Sequence, residues 1–132
     1  MNLIPTTTGA AKAISLVMPQ LKGKLNGYAM RVPTPDVSVV DLTVNLKKAI
    51  TLEEVNEAFE IASKTNFKGL IEIDYDKRVS TDFIGSTYSA TYIPDMSSVV
   101  DGKLLKVIAW YDNEWGYSSR LVDMCVLVGN YK

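Results

Sequence analysis

The most informative absence in this sequence is histidine, which does not occur among its 132 residues. Histidine is the side chain that most often acts as a general base near neutral pH. Only one cysteine, Cys125, is present, so a disulfide within the chain is excluded, and a zinc site built from histidine and cysteine is not expected. Cys125 falls in the apolar pattern of the last predicted helix, which predicts a buried, inert thiol.

The sequence also lacks a long apolar run, a basic cluster and a marked excess of charge of either sign. Its net charge is −1, with 47% hydrophobic and 22% charged residues, a composition typical of a soluble globular domain. A membrane span, a signal peptide and a general affinity for nucleic acid are therefore not expected. We predict one domain over residues 1–132 with a cytoplasmic location and no metal site.

Hydrophobic periodicity predicts an α+β fold with a mixed, largely antiparallel sheet and helices packed on it. A helix begins after three threonines and is limited by Pro19, and Thr51 with Glu54 forms a capping box for a second helix. Because the later strands follow one another without helices, antiparallel pairing is favoured. The predicted strands cover residues 28–33, 37–47 with one covered face, 70–75, 86–93 and 103–111, and a turn at Asp101 and Gly102 precedes the last strand. A last helix covers residues 117–128, and its inward-facing residues are expected to be Tyr117, Leu121, Met124, Cys125 and Val128.

Two segments have residue types that suit anions. Thr8 and Gly9 lie at the predicted start of the first helix, where free backbone N–H groups and hydroxyls can bind a phosphate. The alternative is that they only cap that helix. Arg31 ends an otherwise apolar strand, and its guanidinium suits a phosphate or carboxylate, although an ion pair at the sheet edge explains it equally well.

The stretch of residues 110–120 is the richest in aromatic side chains and joins a predicted strand to the last helix. Such turns collect side chains and free backbone N–H groups at one place, so binding chemistry is plausible here. The alternative is that Trp110, Trp115 and Tyr117 are aromatic core residues.

Four collinear blocks resemble the glyceraldehyde-3-phosphate dehydrogenase family. They are IPTTTGAAKA at residues 4–13, LNG at 25–27 leading to RVPTPDVSVVDL at 31–42, VSTDF at 79–83, and WYDNEWGYS at 110–118. The resemblance spans nearly the whole chain and identifies the later part of the family's catalytic domain. It implies oxidation and phosphorylation of glyceraldehyde 3-phosphate with NAD, through a thioester on a cysteine.

The resemblance also assigns roles to individual residues. Thr8 and Gly9 match residues that bind the attacking inorganic phosphate, and Arg31 matches the arginine that holds the substrate phosphate. Asn113 matches the residue that fixes the nicotinamide carboxamide of NAD, and Tyr117 matches the ring beside the nicotinamide. The family's NAD-binding domain, nucleophilic cysteine and histidine base precede the matched part, so no catalytic residue is assigned and the chain alone is expected to be inactive.

Other functions remain open on the sequence alone. A non-catalytic anion-binding or interaction domain would also keep the phosphate-binding residues without a nucleophile, and an enzyme acting on erythrose 4-phosphate would share most of these blocks. The expected partners are phosphate, triose phosphate and the missing NAD-binding domain. A homo-oligomer is expected as well, since the family is tetrameric and surface normally covered by preceding segments would be exposed.

Overall fold

The computed structural model describes residues 1–131. The chain forms two compact units, Met1–Pro35 and Asp36–Lys132. Seven β-strands and three α-helices lie within the described residues, and the strands of the larger sheet pair mainly in antiparallel fashion. The predicted α+β class and mixed, largely antiparallel sheet are confirmed.

The first unit is a two-stranded antiparallel ribbon with one helix. Strand β1 (Ile4–Thr7) pairs with β2 (Tyr28–Arg31), and α1 (Ala10–Val17) follows β1. A short 3₁₀ turn at Pro19–Leu21 follows α1, because proline has no N–H to continue the helix. No residue of this unit is buried, so the ribbon has no core of its own. Strand β1 is absent from the sequence-based prediction, which began with a helix.

The second unit is built on a five-stranded sheet in which β7 is central. Its elements are β3 (Ser38–Asn45), α2 (Leu52–Lys64), β4 (Ile71–Ile73), β5 (Ala90–Tyr92), β6 (Ser98–Val100), β7 (Leu104–Tyr111) and α3 (Trp115–Gly129). The main strand order is β3-β7-β5-β4, with β6 also paired to β7. The β6–β7 turn contains Asp101 and Gly102 at φ values of 50° and 66°, the left-handed conformation that Asp and Gly accept most readily.

Two apolar clusters cover opposite faces of this sheet. Tyr92 ends β5 and Ile93 follows it in extended conformation, so their side chains point to opposite faces. Tyr92 packs with Val55 of α2 and Val107, and its ring stacks on Phe59 with centroids 4.0 Å apart. On the other side, Ile93 packs with Val37 and Phe83, with Ile108 and Trp110 against them. The helix α2 is held at its start by the predicted capping box between Thr51 and Glu54.

Three features of the strands differ from the prediction. Strands β4 and β5 pair in parallel, although no α-helix joins them. The connection between them is long and contains a 3₁₀ turn at Ser80–Phe83, so it supplies the crossover that parallel pairing requires. The predicted strand at residues 86–93 is reduced to Ala90–Tyr92, and β6 falls in a segment that was not predicted as a strand.

The predictions of burial fail at β3 and α3. Neither face of β3 is fully covered, since Val39 is 50% and Val40 is 42% exposed. Helix α3 buries only Gly116, whereas Tyr117, Leu121, Met124, Cys125 and Val128 were expected inside and are all exposed. The apolar pattern predicted the helix correctly, but within residues 36–131 no element packs over these side chains. Among residues 1–131, no helix combines the length and the apolar character needed to cross a bilayer.

Candidate functional site

The turn that leads from β7 into α3 is organised by Asp112. Its side chain is 2% exposed, and its Oδ1 accepts hydrogen bonds from the backbone N–H groups of Glu114 at 2.9 Å and Trp115 at 2.7 Å. Its Oδ2 accepts from the Gly85 N–H at 2.8 Å. Free N–H groups at the start of a helix need such acceptors. Asp112 therefore caps α3 and ties the helix start to the loop before β5.

The electrostatics of Asp112 follow from these contacts. Burial raises the pKa of its carboxyl, but the hydrogen bonds from the Trp115, Gly85 and Glu114 N–H groups outweigh burial, and the pKa lies below its ordinary value. A carboxylate that accepts several backbone N–H bonds is stabilised in its charged form. Asp112 is thus a fixed negative charge that shapes the turn.

Asn113 follows this cap and is held by a side chain from a different strand. The Ser38 hydroxyl donates to the Asn113 Oδ1 over 2.9 Å. Ser38 is the first residue of β3 and is paired in register with Tyr111 at the end of β7. The sheet therefore brings Ser38 next to a residue that lies 75 positions away in the chain.

A cleft of about 320 Å³ opens at this helix start, a volume at the lower end of those found for ligand sites. Asn113 and Tyr117 both line it, so the structure brings the two predicted nicotinamide-contact residues together. The remaining lining residues are Ser89, Tyr111, Asp112, Gly116 and Arg120. The Tyr117 side chain is 65% exposed, and its ring is therefore accessible to a planar ligand.

Gly116 and Arg120 fix the position of α3 beside the cleft. A Cβ on Gly116 would lie 2.9 Å from the Tyr88 carbonyl oxygen, closer than real Cβ atoms approach. The Arg120 Nη1 donates to the Thr87 carbonyl and to the Ser89 hydroxyl, each at 3.0 Å. Helix α3 is thus in close contact with the segment before β5 at its first two turns.

Of the three aromatic residues considered as core residues in the stretch 110–120, one is packed in the core and two are exposed. Trp110 is half-buried and lies against Phe83 with ring centroids 5.9 Å apart, as a core residue would. Trp115 is 56% and Tyr117 65% exposed, so the interpretation of all three as core residues is wrong for these two.

In the first unit, Thr8 and Gly9 form the junction between β1 and α1. The Thr8 Oγ1 accepts a hydrogen bond from the Ala10 N–H at 3.2 Å, and Gly9 is the N-cap residue of α1 without a side-chain cap. The Gly9 carbonyl accepts from the Lys12 and Ala13 N–H groups. This local arrangement satisfies part of the helix start, as the capping interpretation requires.

The two-stranded ribbon does not place Arg31 next to the Thr8–Gly9 junction. It pairs in register with Ile4, whereas Tyr28 pairs with Thr7. Arg31 and Thr8 therefore lie at opposite ends of the ribbon, roughly 10 Å or more apart along the strands. Arg31 is exposed, and among residues 1–131 it makes no ion pair with an acidic side chain. The edge-salt-bridge interpretation of Arg31 is therefore not supported.

Sequence reasoning missed four residues that hold the cleft in place. They are Ser38, Asp112, Gly116 and Arg120. Of these, Asp112 had a local signature, since aspartate is one of the residues preferred as the cap of a helix start. The roles of the other three depend on contacts with β3 or with the loop before β5, which no local pattern contains.

Comparison with known proteins identifies the family. Residues 1–113 match the family model described as glyceraldehyde 3-phosphate dehydrogenase, C-terminal domain. A glyceraldehyde-3-phosphate dehydrogenase of Geobacillus stearothermophilus is 54% identical over 129 residues, which cover 98% of this chain and 38% of that protein. The chloroplastic glyceraldehyde-3-phosphate dehydrogenase GAPB of Arabidopsis thaliana is 54% identical over 131 residues, covering 98% of this chain and 29% of that protein.

A third relative, glyceraldehyde-3-phosphate dehydrogenase 2 of Bacillus subtilis, is 54% identical over 123 residues, or 93% of this chain and 36% of that protein. The chain therefore spans well under half the length of these relatives. The match covers both units, including Thr8, Gly9, Arg31 and Asn113, and it extends through relatives from bacteria and chloroplasts. The chain belongs to the glyceraldehyde-3-phosphate dehydrogenase family, in which it corresponds to the C-terminal domain.

Proposed function

We propose that this chain supplies the phosphate-binding and nicotinamide-contact residues of a glyceraldehyde-3-phosphate dehydrogenase active site. The cysteine nucleophile, the histidine base and the NAD-binding domain come from another part of the polypeptide or from another chain. By itself the chain is inactive, because it has no histidine and its one cysteine is an exposed residue of α3. NAD, when bound, accepts the hydride released by the aldehyde.

The observation that carries this proposal is the shared cleft of Asn113 and Tyr117 at the start of α3. An amide with one end engaged by Ser38 has its other end available to a carboxamide. An accessible tyrosine ring beside it offers a flat apolar surface for a planar heterocycle. The cleft is large enough for a nicotinamide ring but open, so the rest of the cofactor needs another domain.

The first unit supports the phosphate half of the proposal. Thr8 and Gly9 present a helix start, where backbone N–H groups favour an anion. Arg31 presents an exposed guanidinium at the other end of the ribbon. Two anion positions separated in this way suit a reaction in which an inorganic phosphate and a substrate phosphate are held at once. The proposed substrate is a triose phosphate.

Titration of the ¹⁵N-labelled chain with inorganic phosphate, and separately with NAD, tests the two halves. Phosphate should shift the backbone amide signals of Gly9 and Ala10, and also those of Met30 and Val32 beside Arg31. Arg31→Ala should weaken the response at Met30 and Val32. Lys24→Ala, which removes the same charge from the same unit, should leave it unchanged. NAD should shift Asn113 and Gly116. No shift at any of these positions at millimolar ligand, in a folded chain, would contradict binding by the chain itself.

A further inference from the structure

The backbone just before β3 has an uncommon conformation, and it lies close to the cleft that Asn113 and Tyr117 line. Val37 has a φ of 69°, a value that β-branched residues rarely adopt. It is nevertheless 7% exposed and packs with Phe83 and Ile93, and its N–H donates to the Asp36 Oδ1 at 2.7 Å. Conformations of this kind persist only where the surrounding structure determines them, and they cluster at functional sites.

This conformation determines the position of Ser38, the next residue. Val37 is anchored in the core, and Ser38 opens β3 opposite Tyr111 of β7. The Ser38 hydroxyl is thereby set 2.9 Å from the Asn113 amide oxygen. Asn113 is itself exposed, and its side-chain oxygen accepts this bond from Ser38.

We infer that Ser38 is a positioning residue that fixes the Asn113 amide for the nicotinamide carboxamide. The inference rests on the proposed function of Asn113. An exposed asparagine without a partner rotates among several rotamers and would lose that freedom on binding. The Ser38 hydroxyl holds one end of the amide before the cofactor arrives and leaves the other end for the ligand. Ser38 itself does not touch the cofactor in this role.

The same hydrogen bond has a purely structural alternative, in which Ser38 only ties β3 to the turn after β7. Stability alone does not separate the two roles, because Ser38→Ala would lower it in both. NAD affinity does separate them, because only the positioning role makes NAD binding depend on the Ser38 hydroxyl. The positioning role also requires that the Asn113 side-chain amide is restrained in the free protein and becomes mobile when the hydroxyl is removed.

The test measures ¹⁵N relaxation of the Asn113 side-chain NH₂ in the chain, with Asn113→Ala identifying its signals. The wild-type amide should be restrained, Ser38→Ala should make it as mobile as a free surface side chain, and Ser38→Thr should restore the restraint. Ser63→Ala, which removes a hydroxyl that donates to the Glu60 carbonyl of α2, should change nothing. A mobile amide in the wild type, or an equally restrained amide in Ser38→Ala, would overturn the inference.

NAD affinity completes the test, measured in a complex of the chain with the remaining part of the Geobacillus stearothermophilus relative. Ser38→Ala should weaken NAD binding about three- to tenfold, the loss expected for one neutral hydrogen bond, and Ser38→Thr should recover most of it. If Asn113→Ala leaves NAD binding unchanged, the proposed function fails. If Asn113→Ala weakens it and Ser38→Ala does not, only the positioning role fails.

Discussion

At the scale of single residues, Asp112 is the side chain on which the cleft depends most. Both of its oxygens accept backbone hydrogen bonds, and it is buried between the start of α3 and Gly85. Asparagine has the same shape but would present an NH₂ group to one of these N–H donors. The Asp112 carboxylate therefore has no isosteric substitute that keeps all three bonds.

Replacement of Asp112 by asparagine should destabilise the fold. Asp112→Asn leaves at least one buried N–H group without an acceptor, which costs about 1–3 kcal/mol in the free energy of unfolding. Asp101→Asn is the matched control, because Asp101 lies in an exposed turn with positive φ that asparagine also tolerates. Urea unfolding followed by circular dichroism measures both. Equal stabilities of the two variants would contradict the role given to Asp112.

Stability should fall in acid because two buried carboxyls have lowered pKa values. Burial raises the pKa of Asp74, but its hydrogen bonds with the Arg78 side chain and with backbone N–H groups outweigh burial and lower it, as they do for Asp112. Groups with a lowered folded pKa stabilise the fold fully above their unfolded pKa, about 4. This contribution is lost as the pH falls through the folded values.

Thermal unfolding between pH 7 and pH 2 should therefore show a plateau followed by a decline that begins near pH 4. Asp112→Asn should flatten that decline, since asparagine does not titrate. A melting temperature that stays constant down to pH 2 would contradict the pKa directions given for these two groups.

Local sequence was sufficient for some residues and not for others. The Thr51 and Glu54 capping box and the Asp101 and Gly102 turn were predicted correctly, because each depends on spacing within a few residues. Ser38 was not recognised, because its partner is 75 positions away. The nicotinamide and phosphate roles followed from resemblance and remain proposals.

At the scale of elements, the start of α3 is the best-defined feature of the candidate site. The helix lies so close to the Tyr88 backbone that only glycine fits at position 116. The element itself was predicted from its apolar pattern, but its packing was not. The parallel pairing of β4 and β5 was also not predicted, because it depends on the path of a long connection.

Addition of a methyl group at position 116 should displace α3. In Gly116→Ala the Cβ would meet the Tyr88 carbonyl oxygen at 2.9 Å, and backbone atoms cannot move aside as a flexible side chain can. We expect a loss of about 1–3 kcal/mol, the usual cost of overpacking, and a change in the fluorescence of Trp115. Gly129→Ala, at the other end of α3, has nothing within 4 Å and should be neutral or slightly stabilising. Equal behaviour of the two variants would contradict the close approach.

At the scale of the whole molecule, a large amount of apolar surface is exposed. Along α3, Val122, Val126 and Val128 are 58–65% exposed, and the edge strand β3 exposes Val39 and Val40. Large exposed apolar patches are uncommon on monomeric proteins. The apolar patterns of α3 and β3 predicted buried faces, but no described residue covers these side chains.

The isolated chain should therefore self-associate. Sedimentation velocity over a range of concentrations should show a sedimentation coefficient that rises with concentration. The double variant Val122→Lys and Val126→Lys, which changes two residues one turn apart, should reduce this association, because lysine keeps the helix but disfavours apolar contact. Ile61→Lys on α2, where Ile61 is 56% exposed, is the control of similar exposure. A wild-type chain that stays monomeric at every concentration would contradict the prediction.

In the function proposed here, this chain supplies one part of a dehydrogenase site that another part completes. The most direct measurement combines the chain with the part of the Geobacillus stearothermophilus relative that lies outside the matched region, in which the two are 54% identical. It follows NADH formation from glyceraldehyde 3-phosphate. Activity that needs both parts and inorganic phosphate is predicted. Asn113→Ala should lower it about five- to tenfold, the effect of one lost hydrogen bond, whereas Asn130→Ala should not. A stable complex without activity, or one in which Asn113→Ala is fully active, would contradict the claim.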